Sequence, residues 1–311
     1  YLISKNPTNT ENGMREEHFF PSARSAWNAC LRGLSPRHIL LPSYIGYTER
    51  EGSGGLDPVT NQDLDCSFYP LGQDLLASAD VISDCLAHEP DISVVLLIHY
   101  FGWPGGNASA IRSVCDQAGV VLVEDCAHAF QWGQTEPNLG LIGDYAFFSI
   151  HKYLASGTGG LLRANNASYP EVMLPREECI EHSALTLLAR AELQSIAEKR
   201  RKNLAQVLDG IMAIEGLRPI RKDIPQTPHS LPCWVEGDGI REKLYFYLIS
   251  RNIPTTALYH QMHNLLKREK FPESFEVSDH IINFPIHQDM NEDNISIMIH
   301  EIMIAMEKLR S

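Results

Sequence analysis

Five short apolar runs separated by helix-patterned segments constrain this chain more than any other feature. The runs are His38-Ile39-Leu40-Leu41, Val94-Val95-Leu96-Leu97-Ile98, Val120-Val121-Leu122-Val123, Tyr145-Ala146-Phe147-Phe148 and Gly160-Leu161-Leu162. Each is short for a helix and lacks the polar alternation of a half-exposed strand, so it reads as a strand buried on both faces. Between the runs apolar residues recur at helical spacing. The clearest crossover helix begins after Asn107 as N-cap, turns Ile111, Val114, Cys115 and Ala118 to one side, and stops at Gly119. Strand-helix alternation over about residues 22–165 predicts an α/β architecture, a mainly parallel sheet flanked by helices. Beyond it the pattern changes. One long amphipathic helix is expected from Ser183 to Ile211, carrying Leu185, Leu188, Ile196, Leu204, Leu208 and Ile211 inward. Short strand candidates follow, then a terminal helix capped near Asn291. In that helix Glu292 and Asp293 suit the positive end, while Ile295, Ile299, Ile302, Met306 and Leu309 form the buried stripe. Two domains are expected: a large one over 14–182, then the linking helix and a smaller α+β domain over 183–311.

Chemistry concentrates at two predicted strand ends. Lys152 lies in Ser149-Ile150-His151-Lys152-Tyr153, ahead of the glycine-rich turn Gly157-Thr158-Gly159-Gly160, and Asp125 follows the strand Val120–Val123. Open α/β sheets bind ligands outside the carboxyl ends of their strands. A lysine amine and a carboxylate placed there suit pyridoxal 5'-phosphate (PLP), which needs the amine for an imine and the carboxylate to keep its ring nitrogen protonated. Alone, Lys152 reads as a surface lysine beside a turn and Asp125 as a cap; their joint placement favours the cofactor. His128 could stack on the ring or bond its phenolic oxygen, or be an ordinary buried histidine. Ser22-Ala23-Arg24-Ser25-Ala26-Trp27 opens a helix whose positive end suits a phosphate, with Ser22 equally explicable as a plain N-cap. Ser149 could add a hydroxyl to that phosphate or satisfy a turn.

The formal net charge of −13 disfavours a general polyanion binder, so no nucleic-acid partner is expected. The 7 cysteines are odd in number, dispersed and never in C-x-x-C spacing, which fits a reducing compartment and gives no reason to expect a metal site. No apolar run approaches the ~20 residues that span a bilayer. A soluble, cytoplasmic protein without membrane association is the expectation.

The order of motifs resembles the DegT/DnrJ/EryC1/StrS family of PLP-dependent sugar aminotransferases, a group of fold-type-I enzymes of the aspartate aminotransferase superfamily. The matching pieces are Ser22-Ala23-Arg24-Ser25-Ala26, Leu41-Pro42-Ser43-Tyr44, His99-Tyr100-Phe101-Gly102, Glu124-Asp125-Cys126-Ala127-His128, Gly143-Asp144-Tyr145-Ala146-Phe147-Phe148-Ser149, the lysine loop, and Phe284-Pro285-Ile286-His287. The resemblance implies that Lys152 holds the cofactor as an imine and Asp125 binds its pyridine nitrogen. It also implies that Arg24, Ser25 and Ser149 hold the phosphate, and that a homodimer forms. Several positions depart from the family. His128 stands where glutamine is usual, and Gly46 falls near the place of an aromatic that covers the ring, leaving Tyr44 and Tyr47 as substitutes. Only two residues separate Ser149 from Lys152, and the asparagine-arginine motif that reaches the neighbouring subunit is lacking after Gly160.

By this resemblance the chain is expected to move an amino group from an amino acid, with glutamate foremost, to a keto group of a nucleotide-linked sugar. The rivals are another fold-type-I reaction, such as dehydration or sulfur transfer, and a PLP-binding regulatory protein without turnover.

Overall fold

The computed structural model describes residues 16–50, 52–130, 139–165 and 180–310. Elements follow in the order β1 (Glu16–Phe20), α1 (Ala23–Leu34), β2 (His38–Pro42), α2 (Asp57–Thr60), β3 (Asp65–Tyr69), α3 (Ala79–His88) and β4 (Ile92–Ile98), then α4 (Ala108–Ala118), β5 (Val121–Cys126), β6 (Tyr145–Ser149) and β7 (Gly160–Ala164). The five apolar runs are β2, β4, β5, β6 and β7. They sit in a seven-stranded sheet of order β1-β7-β6-β5-β4-β2-β3. Pairing is parallel from β6 through β3 and antiparallel at β7 and β1. The α/β class and the mostly parallel sheet are thus as expected. β1 and β3 carry no continuous apolar run, and both lie at sheet edges, where burying one face suffices.

Local chemistry explains the helix ends. The Asn107 side chain accepts from the Ala110 N–H, and Gly119 closes α4 at φ +67°, a conformation that favours glycine. Ser22 caps α1 by accepting from the Ser25 N–H at 3.1 Å.

The rest of the chain is α5 (His182–Arg190), α6 (Leu193–Met212), β8 (Leu217–Pro219), β9 (Ser230–Val235), α7 (Ile240–Ser250), α8 (Pro272–His280), β10 (Ile281–Pro285) and α9 (Glu292–Arg310). β10, β9 and β8 form a second, antiparallel sheet. The expected single helix from Ser183 to Ile211 is two helices, because Ala191 leaves the helical region with ψ 132°. Leu188, Ala191, Leu193 and Ile196, on both sides of the break, pack on the cluster around Ile150, Tyr153 and Leu154 beneath the lysine loop. Leu204, Val207 and Ile211, further along α6, join the main core. Among the described residues no helix is long and apolar enough to cross a membrane.

Candidate active site

Strand register brings the candidate residues to one edge of the large sheet. Asp125, the penultimate residue of β5, lies opposite Ile98 on one side and Phe147 on the other. Ser149 ends β6 opposite Gly160, and Gly160 lies opposite Phe20, from which the chain enters α1 through Pro21 and Ser22. Asp125, Ser149, the glycine turn and the start of α1 therefore follow one another along the carboxyl edge.

Two neighbours fix the Asp125 strand end. The His99 N–H donates to the Asp125 carbonyl at 3.0 Å, and the Ala127 N–H donates to the Asp125 carboxylate at 2.8 Å. Burial raises the Asp125 carboxyl pKa above its ordinary value, against the pull of the Ala127 N–H and of the Lys152 charge. Glu124 points the other way, into the core. Its oxygens accept from His99 Nε2 and from the N–H groups of Gly140, Ile142 and Gly143 at 2.6–2.9 Å. Burial alone would raise the Glu124 pKa, but His99 and these donors hold it below the usual value. His99 Nδ1 accepts from the Gly105 N–H at 3.0 Å, so Nε2 carries the proton given to Glu124. His99, Glu124 and Cys126 lie close enough together to hold a metal ion. The satisfied oxygens of Glu124 and both engaged nitrogens of His99 make the group a hydrogen-bonded brace for β5 instead.

The lysine loop is pinned from two directions. The Gly159 N–H donates to the Pro21 carbonyl at 2.6 Å, and a Cβ on Gly160 would overlap the Ser22 backbone and stand 2.5 Å from the Ala23 nitrogen. Only glycine lets the start of α1 lie against β7. Across the loop, Arg200 of α6 donates to the Lys152 carbonyl at 3.0 Å, to the Pro228 carbonyl at 3.3 Å and to Gln288 Oε1 at 2.7 Å, and stacks over the Tyr153 ring. Tyr153 in turn donates to the carbonyls of His128 and Thr227.

His128 lies beside the lysine. Its ring stacks between Phe101 and His229, at 5.8 and 4.7 Å between centroids. The Phe101 N–H donates to His128 Nδ1 at 3.4 Å, which leaves the neutral ring's proton on Nε2. Phe101 reaches this geometry at φ +56°, a strained conformation for a phenylalanine. Burial lowers the pKa of both His128 and His229 well below 6.5, and the Lys152 charge adds to the effect. Neither the buried Arg200 nor the stacked His229 was singled out from sequence. Both sit in segments without a motif, and only the folded chain brings them to the lysine loop.

The remaining candidates are placed as follows. Ser25 Oγ lies 2.9 Å from Ser22 Oγ in the first turn of α1, and Ser149 Oγ is 3.3 Å from His151 Nδ1. Arg24 extends from α1 to Asp57, at 3.5 Å. The buried Tyr44 donates its hydroxyl to the Leu258 carbonyl at 2.7 Å. Tyr47 stands at the surface in edge contact with His263.

Comparison with known proteins gives this edge its context. The model of the DegT/DnrJ/EryC1/StrS aminotransferase family matches residues 81–175, a stretch that includes β4 through the lysine loop. The dTDP-4-dehydro-2,3,6-trideoxy-D-glucose 4-aminotransferase of Saccharopolyspora spinosa is 24% identical over 86% of this chain and 78% of its own length. The L-glutamine:2-deoxy-scyllo-inosose aminotransferase of Streptoalloteichus tenebrarius is 27% identical over 42% of this chain, and the match spans only 38% of that relative. The aminotransferase TlmJ from Streptoalloteichus hindustanus superposes with a TM-score of 0.78 at 18% identity, covering 95% of this chain and 87% of TlmJ. The chain is thus similar to the DegT/DnrJ/EryC1/StrS aminotransferases, by the family model over residues 81–175 and by its fold over most of its length. The fold is that of the fold-type-I enzymes.

Aminotransferases of the DegT/DnrJ/EryC1/StrS family are PLP-dependent, and PLP is the cofactor of this chain. The residues present fit it. A lysine and a carboxylate share the sheet edge, and the helix start held by Gly160 has no acidic residue in its first turn to oppose a phosphate. Thr158 Oγ1 in the lysine loop and His229 Nδ1 beside His128 are buried polar atoms with no partner among the described residues.

Proposed function

We propose that this chain is an aminotransferase that moves an amino group from an amino acid, with glutamate foremost, to a keto group of a nucleotide-linked sugar. The convergence of Lys152, Asp125 and His128 with the α1 start on one sheet edge carries this reading, and the activities of the relatives suggest the substrate class. When bound, PLP supplies an electron sink conjugated to an imine carbon. In this reading Lys152 Nζ would hold the cofactor and would carry a proton to and from the substrate carbon that bears the amino group. Asp125 holds the ring nitrogen protonated, and a cation there would return its burial-raised carboxyl to the charged state. His128 Nε2–H is the donor for the phenolic oxygen. Ser25, at the α1 start, and Ser149 would hold the phosphate. Arg24, already reaching Asp57, adds positive charge at that end.

The same reading includes a division into a large domain over 14–182 and a smaller one over 183–311, and a homodimer. It is tested by reconstituting the protein with PLP, reducing with borohydride and mapping the labelled peptide. The pyridoxyl group is expected on Lys152, and L-glutamate added before reduction should convert the cofactor to its amine form. A label on Lys202 or Lys243 would refute the site. Label on Lys152 without conversion by any amino acid would favour a regulatory protein over an enzyme.

A further inference from the structure

By the resemblance of its motifs, Gly46 falls near the place of an aromatic that covers the cofactor ring, and the space beside it is filled from the other end of the chain. A Cβ on Gly46 would overlap Tyr259 Cδ1 and stand 2.6 Å from Tyr259 Cβ and Cγ. The Tyr259 ring thus occupies the volume into which a side chain at position 46 would project. The two segments are bonded along their backbones. Gly46 faces Met262 in an antiparallel bridge, the Tyr47 N–H donates to the Gln261 carbonyl at 2.9 Å, and the His263 N–H donates to the Ile45 carbonyl at 3.0 Å.

Tyr259 is held in an uncommon conformation, at φ +59°, which a bulky residue keeps only where its surroundings enforce it. The Ser278 hydroxyl enforces it by donating to the Tyr259 carbonyl at 2.6 Å, and Tyr44 meets the Tyr259 ring edge-on at 5.3 Å. Tyr259 packs, half-buried, against the main core, and its phenol lies within electrostatic reach of the Asp125 carboxylate assigned to the pyridine nitrogen. Tyr44, the alternative from the strand end, is committed to the Leu258 carbonyl, and Tyr47 faces solvent.

We propose that Tyr259 supplies the aromatic face against the PLP ring, taking from the C-terminal part of the chain the place that Gly46 leaves vacant in the large sheet. The proposal rests on the reading of Asp125 and Lys152 as the cofactor site. An aromatic face carries direction as well as area, so phenylalanine should replace tyrosine here and leucine should not.

The test uses the full chain labelled with 3-fluorotyrosine. The fluorine resonance of Tyr259, identified as the one missing from Tyr259→Phe, should shift when PLP saturates the protein. In parallel, cofactor titration should show Tyr259→Leu binding PLP about 3- to 10-fold more weakly than wild type and with a changed visible circular dichroism band, while Tyr259→Phe stays within about 2-fold. A Tyr259 resonance that does not move on saturation overturns the proposal, even if the leucine variant fails to fold. So does a folded Tyr259→Leu with wild-type affinity and spectrum. Wild-type protein that binds no PLP would overturn the underlying site as well, which separates the two failures.

Discussion

Asp125 is pulled in opposite directions, and that conflict defines what the residue can do. Burial favours its neutral acid, while the Ala127 N–H and the Lys152 charge favour the carboxylate. A ring-nitrogen cation would settle the balance toward charge. Asp125→Asn keeps the shape and removes the charge, so PLP should stay bound while glutamate-driven conversion in a rapid-mixing absorbance experiment slows by about 10²–10³-fold, the scale of losing one preorganised electrostatic contact. Unchanged conversion would make Asp125 a turn residue only. His128 and His229 give a pH dependence of stability. Their folded pKa values lie well below 6.5, so above pH 6.5 both rings are neutral in folded and unfolded chains alike. As the pH falls below 6.5, the unfolded chain takes up protons that the buried rings refuse, and stability drops by up to about 1.4 kcal/mol per pH unit for each ring. His128→Gln should lessen that loss between pH 7.5 and 5.5 by roughly 1 kcal/mol in urea unfolding; identical losses in both proteins would refute a neutral buried ring. The placement of Asp125 and the lysine loop at the carboxyl edge of the sheet was legible in sequence because strand ends can be read from apolar runs. His229 and Tyr259 were not, since each meets the site only through contacts between segments distant along the chain.

At the scale of elements, the phosphate end depends on the fit between α1 and β7. Gly160→Ala would drive a methyl group into the Ser22 and Ala23 backbone, which cannot yield as a flexible side chain would. Overpacking of this kind costs about 1–3 kcal/mol, and because it displaces the α1 start it should weaken PLP binding together with thermal stability. Ser149→Ala removes one hydroxyl and leaves the packing intact. If that hydroxyl meets the phosphate, affinity should fall by roughly 10- to 150-fold at unchanged melting temperature, the range for a hydrogen bond to a charged group. Titration of the two variants separates a phosphate contact from a structural one, and wild-type affinity in both would place the phosphate elsewhere. The strands that sequence made legible are the central ones, whose burial on two faces leaves unbroken apolar runs. The edge strands β1 (Glu16-Glu17-His18-Phe19-Phe20) and β3 (Asp65-Cys66-Ser67-Phe68-Tyr69) mix polar and apolar residues and carry no such signature. The break at Ala191 was hidden for another reason: nothing in the local composition forbids a helix there.

Arg200 joins parts of the molecule that are remote in sequence. It is 1% exposed, and its guanidinium meets three uncharged oxygens, on Lys152, Pro228 and Gln288, with no carboxylate within ion-pair distance among the described residues. Burial lowers its pKa accordingly, with the Tyr153 and Asp289 groups acting against that. A buried cation without a counterion is an expensive brace, kept only where hydrogen bonds and ring stacking offset its desolvation. Its place explains the arrangement: one planar fork ties the lysine loop of the large sheet to the segment before β9 and to the loop after β10. Arg200→Met fills a similar volume and abandons all three acceptors, so it should lower unfolding free energy by about 2–4 kcal/mol, the cost of leaving several buried oxygens unpaired. The loss should extend beyond stability. With the Lys152 carbonyl released, the visible circular dichroism of bound PLP should weaken even under conditions where the variant is fully folded, and Arg200→Lys, which restores charge but not the fork, should recover stability more than signal. A methionine variant that is destabilised yet holds PLP with the wild-type dichroism would show that Arg200 braces the two sheets without positioning the lysine.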